Sequence, residues 1–312
     1  MINWIRKNLV NSLLVLALIV GIGLLLYPSI SNYWNSFHQT RAIMDYSEAV
    51  ANMSTEDYKE ILRDARDYNR RIGMTGIKWV LTEDDKKLYN SMLKIEGTEV
   101  MGYISMPKFH IKCPIYHGTD ESVLQIAIGH LEGTSLPVGG KSTHCVISGH
   151  RGLPSARLFT DLDRVKEGDT WTITVLNETL TYECDQIRIV EPEDLSELRI
   201  IPGEDLCTLV TCTPYGVNTH RLLIRGHRIP NADGTADLTA DAVQIEPIYV
   251  APVMAVPALL LLLLLFLIAA ARAKKSDHRL ITEPYISSHG ISADKVDKVE
   301  EKHLPGYTDG DE

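Results

Sequence analysis

A surplus of positive charge is missing from this 312-residue sequence: 31 Lys and Arg stand against 41 Asp and Glu, a formal net charge of -10. No basic stripe or stacking motif offsets that balance, so a nucleic-acid footprint is excluded. A disulfide framework is missing too. The five cysteines, at 113, 145, 184, 207 and 212, are odd in number and irregularly spaced. They fit small buried hydrophobes plus one distinctive thiol, Cys212, which is expected to be free. A disulfide among Cys113, Cys145 and Cys184 stays open for a domain outside the cell. A zinc site built from Cys145, His150, Cys207, Cys212 and His220 has the right atoms. It lacks any Cys-x-x-Cys spacing, however, and its cysteines fall on opposite strand faces, so neither metal nor cofactor is assigned. No internal repeat is visible.

What is present is unevenly spread. Hydrophobic residues make up 45% of the chain, enough for a real core. Two apolar runs take a large share of them, so the folded domain lies between. Residues 1–7 carry Arg6 and Lys7 and precede the apolar run 8–27, which at about 1.5 Å per residue is long enough to cross a bilayer. Its end, Leu26-Tyr27-Pro28-Ser29, offers no small-x-small cleavage site, so an uncleaved anchor is expected. A second run, 248–271, has no charge and ends in Arg272, Lys274 and Lys275. Basic flanks on the same side of both spans place both termini in the cytoplasm and the intervening chain outside. A linker at 231–247 leads into the second span, and the charged tail 272–312 is expected to be disordered.

Residues 31–99 read as a helical region. Ser54 with Asp57 three residues on opens a helix through Tyr58, Ile61, Leu62, Ala65 and Tyr68, and Thr82 caps a further helix from Glu83 to Leu93. From about residue 100 to 230 the pattern changes to eight short β-rich runs: 103–106, 111–116, 123–128, 143–148, 170–176, 180–190, 206–212 and 220–228. Such spacing suggests a closed or sandwiched antiparallel β-domain, with short helices on the connections 154–163 and 193–198.

The chemistry concentrates in residues 206–228, two β-rich runs around a turn-prone Thr213 to Thr219. Strand alternation puts Leu206, Thr208, Val210 and Cys212 on one face, and Cys207, Leu209 and Thr211 on the other. A hairpin then returns Arg221 beside Cys212. A thiolate near a fixed cation can attack a carbonyl and have its oxyanion held. The base is expected to be His150, glycine-flanked at the end of the run Val146-Ile-Ser-Gly-His-Arg-Gly152. His117, His130, His144, His220 and His227 compete for that role, and each reads more simply as structural.

Thr208-Leu-Val-Thr-Cys212 with Arg221 nine residues on, and Ser148-Gly-His-Arg-Gly-Leu-Pro154 upstream, resemble the sortases, membrane-bound cysteine transpeptidases of Gram-positive bacteria. Ile115-Tyr-His-Gly-Thr119, Gly129 to Pro137, Leu158 to Asp163 and Thr211-Cys-Thr-Pro-Tyr-Gly216 carry the marks of the class C, pilus-building branch. The resemblance implies a mainly β, eight-stranded sortase-type barrel at 100–230, here with N-terminal helices and two transmembrane helices. It implies catalytic His150, Cys212 and Arg221. Support of the oxyanion or of the substrate falls to Thr211, Thr213 and His220. The implied substrate is a protein bearing a Leu-Pro-x-Thr-Gly-like sorting signal, joined as a thioacyl enzyme and released by a pilin lysine. A cell-wall precursor is the alternative acceptor. Two readings from outside the transpeptidases are a membrane-anchored module without catalysis and a protease that uses water alone. One family feature is lacking: many pilus sortases carry an Asp-Pro-aromatic lid, whereas no proline occurs between Pro28 and Pro107. Glu96 is the residue here that could fill the groove in its place.

Overall fold

A computed structural model describes residues 9–231 and, in isolation, Leu263. The run 248–271, the tail 272–312 and residues 1–7 lie outside the described residues, as does the linker beyond Asn231.

Helix α1 runs from Leu9 to Ala51 without interruption, 43 residues with Pro28 inside it. At 1.5 Å per residue it is about 65 Å long, twice what a bilayer core needs. It is the one helix among the described residues long and apolar enough to cross a membrane. Its apolar positions, Leu14, Leu16, Val20, Leu24 and Leu25 among them, are exposed among the described residues. The expected end of the span at Tyr27 is therefore not a break in structure. Beyond it the same helix continues into the folded domain, where Tyr46 is buried. Its hydroxyl accepts from the Leu176 amide at 2.7 Å and donates to the Met101 carbonyl at 3.3 Å.

Helix α2, Thr55–Thr75, starts where expected, with the Ser54 hydroxyl accepting from the Asp57 amide. Leu62, Ala65, Tyr68, Asn69 and Ile72 recur at helical spacing and form its buried face. Burying an aliphatic side chain of the size of Leu62 or Ile72 stabilises the fold by about 2 kcal/mol. Arg66 ties the helix to Glu178 at 2.5 Å, and Asn69 exchanges hydrogen bonds with both backbone groups of Leu136. Helix α3, Glu83–Ser91, is closed at its start by a reciprocal box between Thr82 and Asp85.

The remainder is a closed eight-stranded barrel. Its strands are β1 (Val100–Met106), β2 (Ile111–His117), β3 (Ile128–His130), β4 (Thr143–Ser148), β5 (Thr170–Val175), β6 (Glu178–Val190), β7 (Asp205–Thr213) and β8 (His220–Ile229), in the order β1-β2-β3-β4-β7-β8-β6-β5. Closure comes from β1 pairing with β5. Two pairs, β2 with β3 and β4 with β7, are parallel, so the all-antiparallel expectation is corrected. Between β2 and β3 lies the segment that holds a short helix, and between β4 and β7 lie β5 and β6. The run 123–128 is not one strand. Asp120 and Glu121 open a helical turn, α4 (Glu121–Leu124), with the Leu124 amide bonded to the Asp120 carbonyl, and only then does β3 begin. The turn is closed by backbone bonds to the Asp120 carbonyl without a side-chain cap, and it displaces the extended form that Val123 and Ile126 favour. The connections expected to hold short helices each carry a single turn of 3-10 helix, at Leu162–Arg164 and Ser196–Leu198.

Inward-facing side chains fill the barrel, with Trp171 stacked on Tyr182 at 6.2 Å. A second, smaller apolar cluster sits on the outside of β4, β7 and β8. Val146, Leu198 and Leu223 are buried there, with Leu131, Val190, Leu195 and Val210 packed on them. The β6–β7 connection covers this outer face.

Candidate active site

Cys212 is the penultimate residue of β7, on the outer face with Val210 as the alternation requires. The antiparallel pairing sets Arg221 directly across from it and Leu223 across from Val210. Opposed residues have Cα atoms about 4.5–5.5 Å apart and project to the same side. The thiol and the guanidinium therefore stand together at the rim of the apolar patch formed by Val146, Val190, Leu195, Leu198, Val210 and Leu223. Arg221 Nη1 donates to the carbonyls of Asn218 and His220, which hold the head group over the β7–β8 loop. Cys212 is half-buried, whereas the other four cysteines are buried, and all five are free. Burial pushes the Cys113 thiol up to about 12 and the Cys184 thiol to about 11. Cys145 is raised well above its ordinary value by burial and by its neighbour Cys207, its partner across the β4–β7 pair.

His150 follows β4 by two residues. The parallel β4–β7 pairing brings Ser148 beside Val210, and the Gly149 amide donates to the Val210 carbonyl at 3.1 Å. Thr211, only 1% exposed, then donates from its hydroxyl to the Gly149 carbonyl at 2.8 Å. These two bonds set the backbone of His150 alongside residues 211 and 212. The imidazole Nε2 is buried without a hydrogen-bond partner, and Glu121 Oε2 lies 3.8 Å away. A buried nitrogen left unsatisfied beside a half-open thiol is available to a reacting group.

The other expected residues are placed differently. Thr213 faces inward and its hydroxyl accepts from Arg151 Nη1 at 3.2 Å. His220, across from Thr213, is turned to the face opposite Arg221. Its Nε2 is 3.2 Å from Glu191, and its Nδ1 shares a 2.9 Å bond with the Thr219 hydroxyl. The rival histidines are occupied. His130 bonds Tyr89 and the Ser135 carbonyl, and His144 bonds the Arg199 carbonyl and Thr208. Burial lowers both to about 4, so they stay neutral. His117 bonds the Met92 carbonyl, and burial lowers it too. His227 lies 3.8 Å from Asp185. Glu96 is exposed in the turn bridged by Ile95 and Thr98.

Three contributors escaped the sequence reading. Arg151, next to His150, has a side chain only 9% exposed. It bonds Asp163 at 2.5 Å as well as Thr213, and its guanidinium lies 5.9 Å from the Tyr215 ring centre. Tyr215 in turn packs on Gly152, where φ is +80° and a Cβ would meet the ring at 2.8 Å. Only glycine satisfies both demands. The loop after β4 and the loop after β7 are thereby fastened together around the site. The third contributor, the Leu195 and Leu198 wall, lies on a connection whose sequence gives no periodic signal.

The sortase domain family matches residues 104–229, the barrel just described. Sortase A of Staphylococcus aureus is 31% identical over 147 residues, 46% of this chain and 69% of that protein. This chain belongs to the sortase family. Sortase C1 from Streptococcus agalactiae is 60% identical, with a TM-score of 0.61 over 62% of this chain and all of that one. A pilus-related sortase C of Group B Streptococcus is 40% identical, with a TM-score of 0.53, covering 60% of this chain and 96% of its own. The likeness to sortases C places this sortase on the class C branch, among cysteine transpeptidases.

Proposed function

We propose that this sortase polymerises pilins at the outer face of a cell membrane. Cys212 passes its proton to His150 and attacks the threonine carbonyl of a Leu-Pro-x-Thr-Gly-like signal, and Arg221 with backbone amides holds the oxyanion as the tetrahedral adduct forms. His150 gives its proton to the departing glycine amine, which leaves a thioacyl enzyme on Cys212. A lysine amine of a second pilin then attacks the thioester. His150 takes the amine proton, and the thiol re-forms as the amide is released. The observation that carries this reading is the in-register pairing of Cys212 with Arg221, at the rim of an outer apolar patch and beside the loop bearing His150. The part of that patch left partly open, Val190, Leu195 and Val210, suits the leucine and proline of the signal. Similarity to a protein titled as a pilus-related sortase supports pilin as the substrate class.

Helix α1 serves as the N-terminal anchor, and the charge-free run 248–271 as a second span. Both termini would then lie in the cytoplasm and the barrel outside. Enzyme and substrate held on one membrane face meet at raised effective concentration.

Product analysis tests the reading. The full chain is incubated with a sorting-signal peptide and, in parallel, with a pilin lysine peptide, a cell-wall precursor amine, or no amine. An amide to the lysine peptide is the expected product. Hydrolysis alone in every arm, or an amide to the wall precursor only, would overturn it.

A further inference from the structure

The anchor helix does more than hold the barrel to a membrane. Just past its apolar run, α1 presents Asn32 and Asn35, one turn apart and so on one face. The Arg157 amide donates to Asn32 Oδ1 at 2.8 Å, and Asn35 Nδ2 donates to the Ser155 carbonyl at 2.7 Å. One turn further on, Gln39 Nε2 donates to the Ile126 carbonyl at 2.6 Å. Ser155 and Arg157 belong to the loop that begins at His150, and Ile126 follows the short helix carrying Glu121. Within that loop the Phe159 amide donates to the His150 carbonyl at 3.1 Å, and the Gly152 amide donates to the Thr160 hydroxyl at 3.2 Å. Ala156, Leu158 and Phe159 of the loop are buried in the core. Its outer edge, at Ser155 and Arg157, is bonded in addition from outside the barrel by two side chains of α1.

We infer that Asn32 and Asn35 are positioning residues, through which the membrane helix sets the loop bearing His150. The inference rests on the transpeptidase reading for its kinetic consequence, and on geometry alone for its mechanism. The two amides play opposite roles: Asn32 accepts and Asn35 donates. Aspartate keeps the acceptor and loses the donor. Asn32→Asp therefore leaves the contact in place, whereas Asn35→Asp sets a carboxylate against a carbonyl oxygen. A merely structural role for these bonds would show the same pattern in the melting temperature, so a change in kcat at constant melting temperature is what separates positioning from stability.

The test uses full-length protein in detergent micelles, with wild type, Asn32→Asp, Asn32→Leu and Asn35→Asp compared. Asn35→Asp and Asn32→Leu are expected to lower kcat fivefold or more with KM within twofold. Asn32→Asp should stay within twofold of wild type, and the melting temperature of all four should agree closely. Equal kcat in all four proteins would overturn the inference. So would a loss confined to KM, or losses that simply follow a falling melting temperature. A second readout needs no substrate: the rate of Cys212 alkylation across pH 6 to 9. Asn35→Asp and Asn32→Leu should change it threefold or more and Asn32→Asp should not; four superimposable profiles would count against the clamp. Should wild type form no acyl product, the transpeptidase reading falls while the alkylation profiles still decide the clamp.

Discussion

The Thr211 hydroxyl separates two ways of building the site. Buried and bonded to the Gly149 carbonyl at 2.8 Å, it spends its proton on the loop that carries His150 and points away from Cys212. Thr211→Val keeps the shape and deletes that donor, leaving a carbonyl short of a partner at a cost of about 1–3 kcal/mol of stability. If the loop is released by about 1.5 kcal/mol, the loss in kcat is capped near roughly tenfold, since about 1.4 kcal/mol corresponds to a factor of ten. A hydroxyl that donated to the oxyanion itself would instead be worth about a hundred- to a thousandfold. Urea unfolding and steady-state kinetics on Thr211→Val and Thr211→Ser measure both quantities. The expected result is lower stability with a modest kcat loss in the valine variant, and near-normal behaviour in the serine variant. A loss of several hundredfold at unchanged stability would refute the positioning argument and give Thr211 a direct part in the chemistry.

Further expectations follow from the same geometry. Arg221→Ala should reduce kcat by about a hundred- to a thousandfold, and Arg221→Lys should not restore it, because lysine lacks the planar fork; a lysine variant near wild-type rate would contradict this. Native-state alkylation followed by peptide mapping should label Cys212 well before Cys113, Cys145 or Cys184, whose thiols burial pushes up, and equal labelling would count against it. Stability should fall as pH drops from 6.5 towards 4. His130 and His144 are held near 4 in the fold and near 6.5 when unfolded, so the unfolded chain binds more protons in that window, with a ceiling of roughly 3 kcal/mol each. Asp205, whose carboxyl burial pushes up, opposes the trend, and a urea midpoint that rises on acidification would mean it dominates. Arg151→Met should lower the unfolding free energy measured in urea by about 1–3 kcal/mol, the range for leaving Asp163 and Thr213 without their partner, because Asp163 is half-exposed and water replaces part of the interaction.

The parts of the molecule legible in sequence are those where local pattern and tertiary packing agree. Alternation along 206–212 placed Cys212 and Thr211 on opposite faces, and the Ser54 and Thr82 caps marked two helix starts, because both features are decided within a few residues. Misreadings fall where distant packing decides. Val123 to Ile128 has strand-like composition, yet a helical turn closed by backbone bonds from Val123 and Leu124 to the Asp120 carbonyl occupies its first half. The apolar run ends at Tyr27, but the helix that carries it continues through Pro28 to Ala51, where Tyr46 holds it to the barrel. Parallel pairing of β4 with β7 leaves no mark in either strand, although it is what brings His150 beside Cys212. Arg151, Asn32 and Asn35 look like ordinary polar residues until the fold shows what each one bonds. The outer apolar patch was missed because Leu195 and Leu198, which complete it, lie on the β6–β7 connection, far in sequence from the strands they pack on.

The central claim is covalent chemistry at one sulfur. Full-length enzyme mixed with a sorting-signal peptide and quenched in acid should gain the mass of the acyl fragment. Peptide mapping should place that mass on Cys212, hydroxylamine should remove it, and Cys212→Ala should never acquire it. No adduct under any condition, or an adduct on another cysteine, would contradict the account.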